Sequence, residues 1–254
     1  MEQHHFDIVN RATPRLESID KALGRGKYTD DLELPNMACA ALVRCPYSHA
    51  KVLSIDVSEA EKVPGFLGCA LPEETPQAYF NCSGNPPSPL LMADEKVLTT
   101  EPLTIGDRVA VVAAETEEAA RAAAEAVKVE YENLAPILDV KAALADNAPA
   151  MQPHLSDTNV VQRREVSQGD IAVGEEKSDI ILEDHFVTPP MQHTMIELTC
   201  CICDFSDGEH MAIYSCSQTV FQERRILAEL FGLKEVDVHI IKPCLLYTSP
   251  SPRD

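Results

Sequence analysis

The sequence predicts an acidic α+β protein built in two parts, and three observations carry that reading. Short apolar or alternating runs recur between residues 38 and 131 and again between 180 and 241, each bounded by turn residues, which is the pattern of strands. Two stretches show helix chemistry instead: the alanine-rich AARAAAEA, and a run with Phe221, Ile226, Leu227, Leu230 and Phe231 at helical spacing. Between the two sets lies a less patterned connection near residues 133–150. Hydrophobic residues make up 45% and charged residues 24%, so a packed core rather than disorder is expected.

The elements follow in order. Residues 38–43 are short and apolar, and 51–56 alternate with Val52, Leu53 and Ile55 apolar, so both read as strands. Ser58 with Glu61 three residues on offers a capping box, and Pro64-Gly65 ends that small helix. Residues 66–71 read as a strand. Residues 72–92 hold Pro72, Pro76, Pro86, Pro87 and Pro89, a density that blocks helix and central strand alike, so an exposed loop is expected. Residues 108–114 (RVAVVAA) read as a buried strand, Thr116 as the cap of a helix with Glu117 and Glu118 in its first turn, and 127–131 as the next strand. In the second part, 180–187, 197–205 and 209–217 are strand candidates. The 221–231 helix ends at Gly232, and 236–241 closes the unit as a strand. Residues 244–254 (CLLYTSPSPRD) match no element and read as the translation of a sequencing-library adapter, so they are left out of the fold.

Charge narrows the function. With 21 basic against 41 acidic side chains the formal net charge is -20, the wrong sign for nucleic acid or an anionic membrane. Trp is absent and aromatics are only 5%, which removes base-stacking platforms. No run approaches the roughly 20 apolar residues of a membrane span, and residues 1–10 lack the basic and apolar regions of a secretory signal. Nine cysteines without a regular framework then read as reduced thiols in a cytoplasmic protein.

Few residues point to chemistry by themselves. Cys200, Cys201 and Cys203 cluster as CCIC, but zinc and iron–sulfur sites need a second group at a set spacing, so packing thiols are expected. His193 and Glu197 stand four apart. On a helix they share a face and suit metal ligation or acid–base work; on a strand or loop they bond locally. Gln218 ends a predicted strand just before a helix, the place where α/β units hold ligands, although a plain helix-start residue has the same pattern. Gly24-Arg25-Gly26 lacks the third glycine and preceding strand of a phosphate loop.

Three segments resemble one family, the molybdenum-binding subunits of xanthine dehydrogenases and aldehyde oxidases. Residues 22–60 carry the family's Gly-x-x-x-Tyr-x-x-Asp and Arg-x-Pro-x-x-His-Ala pattern as Gly24, Tyr28, Asp31, Arg44, Pro46, His49 and Ala50. Residues 105–139 resemble its strand, acid-rich helix and Val-Glu-Tyr-Glu strand, with Asp107 and Arg108 where Glu-Pro is usual. Residues 189–205 and 214–243 resemble the start of its first molybdopterin-binding domain, with Cys216, Ser217 and Gln218 at the family's Ser-Thr-Gln strand end.

The resemblance implies a leader (1–20), a hammerhead-like α/β domain (21–145) and the start of a molybdopterin-binding α/β domain (146–243), truncated before the adapter-like tail (244–254). It implies a molybdopterin cofactor carrying molybdenum, with Gln218 hydrogen-bonding a molybdenum ligand, and iron–sulfur clusters and FAD on partner subunits or domains of an oligomeric complex. It places no catalytic residue and no metal ligand within these residues, and gives His193 and Glu197 no role. The implied reaction is hydroxylation of a purine or other N-heterocycle, xanthine foremost, with water as oxygen source. An aldehyde oxidase or carbon monoxide dehydrogenase relative is the alternative within the family. A non-catalytic interaction module that keeps only the hammerhead domain, or an unrelated acidic α/β domain, are the alternatives outside it.

Overall fold

A computed structural model describes residues 12, 15, 17–81, 92–192, 194 and 197–244. Its elements in chain order are α1 (Ser18–Ala22), β1 (Cys39–Arg44), β2 (Ala50–Asp56), β3 (Phe66–Ala70), β4 (Arg108–Ala114), α2 (Glu117–Ala126), β5 (Lys128–Asn133), α3 (Val140–Ala143), α4 (Ile171–Glu176), β6 (Cys201–Asp204), β7 (Met211–Ser215), α5 (Val220–Phe231) and β8 (Val238–Ile241). They fall into two compact units. One is Pro35–Gln192 with Glu229–Gly232; the other is Met1–Leu34, His193–Ala228 and Leu233–Asp254.

The larger unit is organised by β4. It lies between β1 and β3, antiparallel to both, in a three-stranded sheet. A strand paired on both edges has no backbone group facing water, and RVAVVAA meets that condition with small apolar side chains. Val109, Ala110, Val112 and Ala114 are all fully buried. Helix α2 packs on β1 and β4 through Ala120 and Ala123, also buried, whose single methyl groups let the helix approach closely. Its start is fixed as expected: Thr116 Oγ1 accepts the Ala119 N–H at 3.1 Å.

β5 does not return to this sheet. It pairs with β2 in a separate two-stranded ladder, so the strand–helix–strand run β4–α2–β5 joins two sheets. A register shift between Val52 and Ser54 leaves Leu53 unpaired and exposed, and this resets the alternation so that Val52 and Ile55 both pack on the core.

Two expectations for this unit need correction. The Ser58/Glu61 capping box does not form. Asp56 takes the Ser58 N–H at 2.9 Å, and only a 3-10 turn, Ala60–Lys62, follows. Residues 180–187 are not a strand. Ile180, Leu182, Phe186 and Val187 are exposed and no strand among the described residues pairs with them, so their β-propensity has nothing to act on. Of the proline-rich loop, residues 82–91 lie outside the described residues, and the part before them opens with a 3-10 turn, Pro72–Glu74.

The smaller unit is a three-stranded sheet in the order β6–β7–β8, with β6 antiparallel and β8 parallel to β7. The parallel pair needs a crossover, and α5 provides it. Met211, Ile213 and Val238 are buried with Ala228, and Leu227, Leu233 and Ile240 pack around them. α5 ends on Gly232 at φ +66°, with Leu233 N–H bonded to Ala228 O and Gly232 N–H to Glu229 O. That is a Schellman termination, which needs a left-handed residue where the glycine stands. β6 is shorter than the 197–205 expected, because only Cys201–Asp204 finds a partner on β7.

The β6–β7 turn is closed by Asp207. Its carboxylate accepts the N–H groups of His210 (2.7 Å) and Glu209 (2.8 Å) and meets His210 Nδ1 at 2.7 Å. The backbone donors, then the imidazole, hold the Asp207 pKa down to about 2, and the Asp207 hydrogen bond raises that of His210. Asp207 favours the turn above its ordinary 3.8 and loses that contribution as pH falls toward 2. His210 favours it below its ordinary 6.5 and loses that contribution as pH rises through its raised value. The contact is therefore fully charged between those two ordinary values.

Two outcomes are expected. Thr116→Ala removes the α2 cap and lowers stability by about 1 kcal/mol, read as a lower urea midpoint with an unchanged slope, while Thr116→Ser keeps most of it; an unmoved midpoint in Thr116→Ala would contradict the cap. By NMR, His210 titrates above 6.5 and returns toward that value in Asp207→Asn; identical titrations in the two proteins would show that Asp207 is not its partner.

Candidate functional site

Most of the family-like motif residues hold up the fold. Tyr28 N–H donates to Asp31 Oδ2 at 2.9 Å, and Asp31 N–H donates to Tyr28 O, which closes the 3-10 turn Thr29–Asp31. Arg44 Nη1 donates to Gly106 O at 2.8 Å, His49 Nδ1 meets Ala135 O at 2.9 Å, and Ala50 is fully buried. Asp107 gathers the N–H groups of Leu103 and Thr104 on Oδ2 and the Thr104 hydroxyl on Oδ1. Arg108 donates to Val97 O, Lys96 O and Glu95 Oε2. The Asp-Arg pair thus ties two loop segments to the start of β4.

An open cleft of about 390 Å³ lies beside these residues, lined among others by Tyr79, Lys96, Arg108 and His154. The Tyr79 and His154 rings stack with centroids 3.7 Å apart, and the Lys96 ammonium sits 4.8 Å from the Tyr79 centroid. Two of its polar side chains are already engaged: His154 Nε2 meets Ala93 O, and Arg108 is bonded as above. Such a surface offers little to a ligand.

The junction between β7 and α5 is different. Gln218 stands there, beyond the end of β7 and two residues before α5. Ser217 Oγ accepts the Thr219 N–H at 3.1 Å, and Thr219 O accepts the N–H groups of Gln222 and Glu223, so the chain turns sharply into the helix. One turn into α5, Gln222 is only 7% exposed and its Oε1 has no hydrogen-bond partner among the described residues. Glu223 Oε2, Arg224 Nε and Arg225 Nη2 are buried and equally without partners, although Arg224 Nη2 reaches Glu235 at 3.1 Å. Buried polar atoms are nearly always satisfied in folded proteins, so two acceptors, one of them a carboxylate, and two guanidinium donors along one helix suit a polar ligand that both donates and accepts. The resemblance pointed to Gln218, which position alone left as a plain helix-start residue; Gln222 carries no motif and shows itself only by its burial.

The remaining candidates separate. His193 lies outside the described residues. Glu197 sits in a bend and not on a helix, which agrees with the strand-or-loop alternative for this pair and not with the helical one. Cys201 and Cys203 are exposed on the edge strand β6, not buried as expected, because nothing pairs with its outer side among the described residues; Cys200 is half-buried just before it. Among the described residues no group of three His, Cys, Asp or Glu side chains could hold a metal ion.

The unpartnered amide makes a prediction for this chain. Gln222→Met keeps the shape and removes the orphan acceptor, so it raises the stability of the chain without ligand by about 1 kcal/mol. A urea midpoint lowered by the substitution would mean that the amide is satisfied after all.

Comparison with known proteins places both units. Residues 23–135 match the family described as aldehyde oxidase and xanthine dehydrogenase, a/b hammerhead domain, and residues 153–245 match the molybdopterin cofactor-binding domain. The second match is at odds with a module that kept only the hammerhead domain. The chain is similar to the nicotinate dehydrogenase large molybdopterin subunit of Eubacterium barkeri, at 26% identity over 93% of this chain and 54% of that protein. It is similar to the xanthine dehydrogenase molybdenum-binding subunit of Escherichia coli O157:H7, at 30% identity over 90% of this chain and 30% of that one. The aldehyde oxidoreductase of Desulfovibrio gigas superposes with a TM-score of 0.80 at 26% identity, over 91% of this chain and 26% of that one. The chain thus spans about half or less of the length of these relatives. The two matched domains, in the order the elements require, make this chain a member of the aldehyde oxidase and xanthine dehydrogenase family of molybdopterin oxidoreductases.

Proposed function

We propose that the chain is the N-terminal part of a molybdenum hydroxylase subunit of xanthine dehydrogenase type, which oxidises a purine or related N-heterocycle with water as the oxygen source. The observation that carries the reading is the β7–α5 junction, where Gln218 precedes a helix whose Gln222, Arg224 and Arg225 hold buried polar atoms without partners. Two similar proteins bear names that concern nitrogen heterocycles, nicotinate and xanthine. The likeness to an aldehyde oxidoreductase favours an aldehyde as the second substrate class.

When bound, molybdopterin supplies the molybdenum centre that accepts electrons from the substrate. The residues present fit such a group in chemical kind. Gln218 carries an amide that can donate or accept, and such contacts around a metal centre tune it. The Gln222 acceptor complements the N–H groups of a pterin, and the guanidinium of Arg225 complements a phosphate. On this reading the catalytic residues and most pterin contacts belong to sequence beyond Pro243, as do the iron–sulfur and FAD partners of an oligomeric, cytoplasmic complex. Among the described residues no helix is long and apolar enough to cross a membrane. The domain limits that go with the reading are 21–145 for the hammerhead part and 146–243 for the cofactor part, with 244–254 foreign to both; 245–254 lie outside the described residues.

The test is expression of the whole gene with its neighbours, followed by molybdenum analysis and turnover of xanthine, nicotinate and an aldehyde in water labelled with heavy oxygen. Labelled hydroxylated heterocycle is expected. Gln218→Ala is expected to cut kcat by about ten- to a hundred-fold with folding unchanged. The 254-residue chain alone is expected to hold no stoichiometric molybdenum. Full activity in Gln218→Ala, or stoichiometric molybdenum on the chain alone, would contradict the assignment. Turnover of the aldehyde only would shift it to the second substrate class.

A further inference from the structure

The β6–β7 hairpin gathers thiols for which the cofactor reading has no use. The ladder runs Cys203↔Ile213, Ile202↔Tyr214, Cys201↔Ser215. Both strands end there; continued one step past their ends, the same register would bring Cys200 opposite Cys216. Opposite residues of an antiparallel pair share a face, with Cα atoms about 4.5–5.5 Å apart, inside the roughly 4.4–6.8 Å that a disulfide spans. Both thiols are free and both are half-buried. Burial first, then Asp30 and the Cys216 thiol, raise the Cys200 pKa above its ordinary value; the Cys216 thiol acts on Cys201 too, so the choice between them rests on the register. Cys201 projects to the other face of its strand, and Cys203 stands opposite Ile213, so the register singles out one pair from the CCIC run. The run is not a metal site, since no such group forms among the described residues.

We propose that Cys200 and Cys216 are a redox-modification site, a thiol pair that closes to a cross-strand disulfide by exchange with a small oxidised disulfide such as oxidised glutathione. One protein thiol, as thiolate, attacks a sulfur of the reagent; a mixed disulfide forms and one small thiol leaves. The second protein thiol then attacks the protein sulfur of that mixed disulfide. The Cys200–Cys216 bond forms and the second small thiol leaves. Two electrons pass from the protein to the reagent, and the two protons lost by the protein thiols end on the two released thiols. The link pins the open end of the hairpin two residues before Gln218. It follows from the register and holds whether or not Gln218 meets a cofactor.

The experiment uses the whole folded chain, incubated with oxidised glutathione at about pH 9, because the raised Cys200 pKa leaves little thiolate nearer neutrality. Free thiols are then alkylated and the chain is cleaved after glutamate. Cutting after Glu197, Glu209 and Glu223 separates the peptide with Cys200, Cys201 and Cys203 from the peptide with Cys216. Mass spectrometry is expected to show these two peptides linked, with Cys200–Cys216 exceeding other pairings by about ten-fold. The link is expected to disappear in Cys200→Ser and in Cys216→Ser and to persist when Cys201 and Cys203 are both changed to serine. In urea the preference among the three cysteines is expected to vanish. An unlinked native chain, a link of equal yield in Cys200→Ser, or the same mixture with and without urea would overturn the proposal.

Discussion

The larger unit depends on one constraint, the burial of β4. Its backbone is paired on both sides, by β1 and β3, and Val109, Ala110, Val112 and Ala114 have no exposed surface. A charge or a large side chain at any of these positions has nowhere to go. The neighbouring features follow from that. The residues facing β4 are small because α2 must lie close, α2 is held at its start by Thr116 because its alanines provide little directional anchoring, and Arg108 at the strand's first position bonds outward to the 95–97 segment. The family-like motif residues of this unit serve the same end: Arg44 and His49 each bond a distant carbonyl.

The smaller unit obeys a different constraint. Its β7–α5–β8 crossover buries Met211, Ile213, Ala228 and Val238 on the inner side of the helix. That accounts for the apolar positions, but not for one polar atom each of Gln222, Glu223, Arg224 and Arg225 (Oε1, Oε2, Nε and Nη2), which is also removed from water and lacks a partner among the described residues. Apolar packing alone does not select such side chains; each costs about 1–3 kcal/mol when left unsatisfied. Their place one turn beyond Gln218 makes the start of α5 the point where the unit is incomplete without another polar group. The match of residues 153–245 to a molybdopterin cofactor-binding domain agrees with this physical reading.

The fold was legible where local signals and packing agree. β4, α2 with its Thr116 cap, and α5 with its Gly232 end all combine a clear period with a terminator, and all stand within a residue or two of the expected limits. Legibility failed where tertiary partners decide. Residues 180–187 have the composition of a strand but no strand beside them among the described residues, and the Ser58/Glu61 capping box lost to Asp56, which takes the Ser58 N–H. The alternation of β2 misleads at Leu53 because a bulge cannot be read from period alone. Of the site, Gln218 stood out through resemblance, since the strand-end rule alone fits a plain helix-start residue equally well. Gln222 was not, because an orphan atom is a property of packing and leaves no trace in sequence.

The central claim is that the β7–α5 junction faces the molybdopterin cofactor. The most direct measurement is a structure of the whole cofactor-loaded subunit, reading the contacts of Gln218 and Gln222. The account predicts the Gln218 amide within about 3 Å of a polar atom of the cofactor and the Gln222 oxygen satisfied by the cofactor or by a group beside it. A cofactor bound away from this junction, with Gln218 exposed to water, would contradict it.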